Sequence, residues 1–210
     1  MVILLLLIFF TIVLFLRIIS RSNKAPKNKK EKTTYSSYAK TLGEISEKSV
    51  TKKTTCSSYA KVLGEIGEES VASILRTLPK DYVVFNDVYL EIKGKSTQID
   101  HVVISRYGVF IIETKNYTGW IFGNDTSEYW TQTIYEDKYK LRNPLRQNYS
   151  HLKTLQSIFG IDERFYFPIV AFHDRATLKC ETNGNVMYFS ELKDFILSKH
   201  IQRLSDELVN

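Results

Sequence analysis

The chain has 210 residues, 29 Lys+Arg against 23 Asp+Glu, and a formal charge of +6. This length fits one ordinary domain with an appendage or two very small domains, and a chain that is 43% hydrophobic and 25% charged is not disordered overall. Two cysteines, Cys56 and Cys180, exclude a disulfide framework and a four-cysteine zinc site.

The first predicted element is an apolar helix. Residues 1–16 carry no charge, and Val2 to Ile19 are apolar apart from Thr11 and Arg17. Eighteen residues at about 1.5 Å each cover about 27 Å, close to one hydrocarbon core. The start lacks the basic region and small-residue cleavage site of a signal peptide, and it lacks the polar stripe of a core helix. Residues 1–19 are therefore expected to be a transmembrane anchor. The stretch Arg17–Lys32 then holds seven Lys/Arg and one Glu, so it accounts for the whole net charge and leaves residues 33–210 balanced. A basic cluster on that side predicts a single-pass membrane protein, N-terminus outside and the rest cytoplasmic. The cluster reads as topology signal and lipid-facing tether rather than as a nucleic-acid arm.

Residues 20–55 are expected to be a basic linker and a degenerate repeat copy, and residues 56–210 the folded domain. Lys32–Val50 and Lys53–Val71 agree at fifteen of 19 positions, a local duplication rather than a solenoid. The second copy runs into Val71, Ile74, Leu75 and Leu78, at helical spacing, and is the working copy. Strands are expected at 82–90, 97–105 and 109–115, with one or two short ones within 117–135. Asn143-Pro144 marks a helix start, continuing to about Phe159 with Leu145, Tyr149, Leu152 and Phe159 as its apolar stripe. A strand at 166–173, a short one at 186–189 and a last helix capped by Ser190 complete an α/β domain.

The hairpin 97–115 carries the chemistry. If Ile104 pairs with Val109, Asp100 lies opposite Glu113 and Gln98 opposite Lys115 on one face, and His101 joins Ile99 and Val103 on the other. Opposed carboxylates in apolar strands repel and lose solvation. A cation between them relieves both costs, and hard oxygen ligands suit Mg²⁺ or Mn²⁺. Lys115 would then neutralise charge, hold a phosphate or orient water. The other reading is a hairpin whose polar end is simply solvated. Glu68 shares the helix face of Val71 and Leu75, and Gln147 shares one with His151, from which it could meet a phosphate or base. Lys115-Asn116 are candidates for backbone phosphate contacts. Trp120 and Trp130 fit either base stacking or core packing.

The segments GEIGEESV, TQIDHVVIS, GVFIIETKNYTGWIFG and NPLRQNYSHL together resemble the NERD (nuclease-related) domain over about residues 60–160. That resemblance implies the PD-(D/E)xK nuclease superfamily, a restriction-endonuclease-like αβββαβ core and a Mg²⁺-dependent site. It matches Asp100 and Glu113-Thr114-Lys115 to the D…(D/E)xK residues, Glu68 to the acidic residue of the first helix and Gln147 to the polar position of the later one. The expectation is a membrane-anchored phosphodiester hydrolase acting on DNA or RNA, with metal on Asp100, Glu113 and Glu68. Its rival is an inert NERD domain that tethers nucleic acid or a protein at the membrane.

Overall fold

In a computed structural model, residues 52–201 are described, apart from residue 93. The expected anchor over 1–19 and the first repeat copy lie outside the described residues. No helix among the described residues is long and apolar enough to cross a membrane.

The chain opens with helix α1 (Lys52–Leu75), then strands β1 (Val83–Ile92), β2 (Lys95–Ser105) and β3 (Gly108–Lys115). A meander of β4 (Gly119–Asn124), β5 (Tyr129–Ile134) and β6 (Asp137–Arg142) follows. Helix α2 (Pro144–Phe159), β7 (Tyr166–Phe172), β8 (Ala176–Glu181), β9 (Asn185–Tyr188) and helix α3 (Phe189–Ser198) close the domain. The α-β-β-β…α-β order read from the sequence is present, with β4–β6 inserted. Two strands were not expected. β6, DKYKLR, has hardly a buried residue and is held by pairing with β5 alone. β8 is short, and only Ala176 in it is fully buried.

Two sheets result, ordered β1-β2-β3-β7-β9 and β6-β5-β4-β8. β7 runs parallel to β3, and β8 parallel to β4. The same two strands thus leave the first sheet and enter the second, through the links 116–118 and 173–175. The His173 N–H donates to the Lys115 carbonyl at 3.0 Å, tying the links together.

The first sheet is covered on both faces. Val102, Ile104, Val109 and Ile111 pack with Leu152, Leu155 and Phe159 of α2. Val103, Phe110 and Ile112 pack with Val71 and Leu75 of α1 and Leu192 and Ile196 of α3. Every residue of β3 before Lys115 is buried, as a strand sandwiched between helices must be. Helix α2 begins as read: the Asn143 side chain accepts from the Leu145 N–H, and Pro144 occupies the first turn. Its buried stripe differs, because Tyr149 is exposed while Asn148 and His151 are buried. The Asn148 amide donates to the carbonyls of Ile111 (3.0 Å) and Ile169 (2.8 Å), which satisfies its N–H groups inside the core while its oxygen has no partner among the described residues. Helix α3 starts at Phe189, one residue before the expected cap, where Glu191 accepts from the Tyr188 N–H.

Candidate functional site

The hairpin register is the one read from the sequence: Ile104 pairs with Val109, and Ser105 with Gly108. The ladder ends at His101–Ile112, one step before Asp100 and Glu113. There the Asp100 carboxylate replaces a backbone acceptor, taking the Thr114 N–H at 2.8 Å. Gln98 does not oppose Lys115. It pairs with Tyr89 and donates to Asp87 at 3.2 Å, while Lys115 pairs with Phe172 of β7.

The reason is a shared irregularity. In β1 the inward residues are Val83 and Phe85, then Val88 and Leu90; in β2 they are Ile104 and Val102, then Ile99. Alternation slips by one in both strands where Asp87 and Asp100 stand across from each other. Asp87 takes a left-handed conformation (φ 53), tolerable for Asp and costly for bulky residues. Ile99 therefore packs with Val102, not with Val103 as strict alternation requires. His101 stays buried, with Nδ1 at 2.8 Å from the Asn86 side-chain oxygen, and burial pushes its imidazole down to about 4. It is neutral, so the ring nitrogen facing Asn86 carries the proton and donates it.

Glu113 is the anchor. It is 3% exposed. The Lys115 ammonium donates to Oε1 at 2.6 Å, and His151 Nε2 lies 3.2 Å from Oε2. A carboxylate only accepts, so His151 carries its proton on Nε2. Its Nδ1 meets the Thr97 hydroxyl at 3.1 Å. Burial alone would raise the Glu113 carboxyl, but the His151 hydrogen bond and the Lys115 charge outweigh it and hold the group below its usual range. Burial works against the Lys115 charge, and Glu113 more than offsets that, so the ammonium is held above its usual value. Lys115 also reaches Gln147 Oε1 at 3.4 Å.

Asp100 is the opposite case. Burial, and then the Glu113 charge, push its carboxyl up to about 8, against the pull of the Thr114 N–H. Glu68 on α1 is raised by burial, then by Asp87, Glu65 and Glu113. Three carboxylates and one lysine thus feel one another across α1, β2 and β3. The close fit of α1 requires Gly67, where a Cβ would lie 2.6 Å from the Asn116 Cβ.

The structure brings together Glu68, Asp100, Glu113, Lys115 and Gln147. Asn116 is directed elsewhere: its amide donates to the Leu63 carbonyl at 2.7 Å and its oxygen accepts from Arg175 at 2.9 Å. It acts as a strut between α1 and the strand links. His151, expected only to share a helix face with Gln147, is the further neighbour of Glu113, and the i, i+4 spacing carried no sign of that contact.

A divalent ion suits the donor chemistry. Mg²⁺ needs only one or two carboxylates beside water and phosphate oxygens. Asp100 has one carboxylate oxygen outside the Thr114 bond, and its carboxyl is raised first by burial and then by the Glu113 charge, two costs that a bound cation would offset. Among the described residues, however, no three His, Cys, Asp or Glu side chains stand ready as a ligand group. Glu113 already has a hydrogen bond on each oxygen, so the fit is to a two-carboxylate site, Asp100 and Glu113, with Glu68 at its edge.

The family model described as "Nuclease-related domain" matches residues 63–173, a span that contains every residue of this site. An uncharacterized protein of Bacillus anthracis is 38% identical over 138 residues, covering 62% of this chain and 64% of that protein.

Proposed function

Because the chain belongs to the NERD (nuclease-related domain) family, we propose that Asp100, Glu113 and Lys115 form a metal-dependent phosphodiester-hydrolysis site acting on DNA or RNA, on a restriction-endonuclease-like core. The observation that carries this reading is the buried Glu113 carboxylate, held by Lys115, with the half-buried Asp100 beside it. A Mg²⁺ or Mn²⁺ ion bound there would polarise a phosphoryl oxygen and activate water. The chain's own residues do the rest. Asp100 and Glu113 hold the ion, and His151 fixes the rotamer of Glu113 in the manner of an outer-shell partner. Lys115 stabilises negative charge building on the phosphate, and Gln147 orients Lys115 or the phosphate. Glu68, whose carboxyl is raised by burial and by its acidic neighbours, would accept a hydrogen bond from a water at the rim.

The expected outcome is Mg²⁺-dependent cleavage of DNA or RNA by the purified chain. Removing a metal ligand or the charge-stabilising donor costs about 10²–10³ or more in rate, so Asp100→Ala and Lys115→Ala should be inactive. Equal cleavage by wild type and both variants would sink the mechanism. The double engagement of Glu113 favours a second reading, an inert binding domain. Calorimetric titration with Mn²⁺ separates the two, since an inert site takes up no ion and Asp100→Asn then changes nothing.

We also place the domain on the cytoplasmic face of a membrane, held by residues 2–19. The support is the apolar span followed by the basic Arg17–Lys32 cluster. Deleting 2–19 should move the chain from the membrane fraction to the soluble one, and retention would refute the anchor.

A further inference from the structure

The second sheet is covered on one face only. Ile121 and Trp130 are buried against Val170 and Phe172 of β7, with Leu141, Leu178 and Cys180 packed alongside. The alternate residues therefore point away from the core, and pairing fixes their neighbours. On the central strand β4, Trp120 lies beside Thr133 and Thr177, and Phe122 beside Thr131 and Lys179. Beyond β5, Lys138, Lys140 and Arg142 stand across from Thr133, Thr131 and Tyr129.

This is an unusual surface. Trp120 is 54% exposed and Phe122 39%, and the two rings meet edge to face with centroids 6.1 Å apart. Neither adds to the core. Cations flank them on both sides: Lys138, Lys140 and Arg142 along β6, and Lys179 on β8, all exposed. Glu181 is the one carboxylate on the face. Residues 33–210 are balanced in charge, so this is a local segregation and not a reflection of composition. Beside Trp120 opens a cavity of about 260 Å³ lined by Gly119, Trp120, Thr133 and Tyr135. Tyr135 is 97% exposed, held out on the β5–β6 turn by a left-handed backbone (φ 55).

We propose that this face binds single-stranded nucleic acid, with bases stacked on Trp120 and Phe122 and backbone phosphates held by Lys138, Lys140, Arg142 and Lys179. Aromatic rings at the centre of a sheet with cations along its rims are the two parts such binding needs. A duplex keeps its bases stacked inside, where these rings cannot reach them. The proposal goes beyond the hydrolytic reading and does not depend on it, since stacking and phosphate contacts need no divalent ion. The two sites are nonetheless close along the chain. Trp120 follows Lys115 by five residues, so their Cα atoms are at most about 18 Å apart.

The test is fluorescence anisotropy with the full chain in EDTA, where no metal-dependent cleavage contributes. The probes are labelled oligothymidylate and oligouridylate of about 15 nucleotides, the upper range of such sites, and a duplex of equal length. The single strands should bind more tightly than the duplex. Trp120→Ala with Phe122→Ala should weaken single-strand binding about tenfold or more. Lys138→Ala with Lys140→Ala should reduce the slope of log affinity against log salt by about one unit. The Arg17–Lys32 cluster is common to all variants and cancels. The chain has two tryptophans, and only Trp120 is exposed. Oligonucleotide should therefore quench the wild-type emission, and the quench should vanish with Trp120→Phe. Unchanged affinity in the aromatic variant, duplex bound as tightly as single strand, or binding without quenching would each overturn the proposal. Single-strand binding without any Mg²⁺-dependent cleavage would leave it standing and count against the hydrolytic reading alone.

Discussion

The two sheets each contain a parallel pair, β3 with β7 and β4 with β8, yet place their charges in opposite ways. In the first, helices cover both faces, and Glu113 and Lys115 sit inside, joined at 2.6 Å with the side chains 3% and 17% exposed. In the second, Lys138, Lys140, Arg142 and Lys179 stand in water, and the aromatic rings rather than the charges are out of place. Solvation explains the contrast. A charge in water contributes little to stability, whereas a buried one must be fully compensated or it opposes folding. Misplaced groups of either kind are the places where a functional reading has to be tested.

The sharpest way to test that contrast is one substitution made in both sheets. Lys115→Met leaves Glu113 buried with only His151 as partner, and breaking a buried pair in this way costs about 3–5 kcal/mol. Lys140→Met removes an exposed cation and should cost less than about 0.5 kcal/mol. Urea unfolding at neutral pH measures both. The Lys115→Met deficit should shrink as the pH is lowered, because a protonated Glu113 no longer needs a counter-charge. Similar costs at the two positions would show that the ion pair is solvated and the contrast false.

How much of this was legible beforehand follows from the same physics. The hairpin register could be read because a short turn and two strongly apolar strands leave one pairing that buries both faces. The start of α2 could be read because Asn143 and Pro144 act locally. The slip at Asp87 and Asp100 was written only faintly, as Val83, Phe85, Val88 and Leu90 in place of an unbroken alternation. It surfaced once two strands were seen to slip together. β6 had no apolar signal at all, since its six residues are held by pairing to β5. The partnership of His151 with Glu113 joins residues 38 apart in sequence, so no local pattern could announce it. Asn116 shows the converse: a polar residue beside the site motif that proved to brace the helix.

A smaller effect sharpens the comparison through pH. The Asp100 carboxyl, raised to about 8 by burial and by Glu113, binds a proton more tightly in the folded chain than in the unfolded one, where it keeps the ordinary carboxylate value near 4. The folded state therefore gains from this group at low pH and loses that gain as the pH rises from about 4 through about 8. Asn at this position keeps an oxygen for the Thr114 N–H and carries no charge. In EDTA, Asp100→Asn should match wild type near pH 4 and be the more stable of the two at pH 8.5, by several degrees in Tm. Exposed Glu181 on the second sheet has no such burden, and Glu181→Gln should run parallel to wild type at every pH. Saturating Mg²⁺ should close the Asp100→Asn gap by stabilising wild type alone. A gain from Asn that is the same at pH 4 and pH 8.5 would mean that Asp100 carries its charge without strain, and the need for a cation beside Glu113 would go with it.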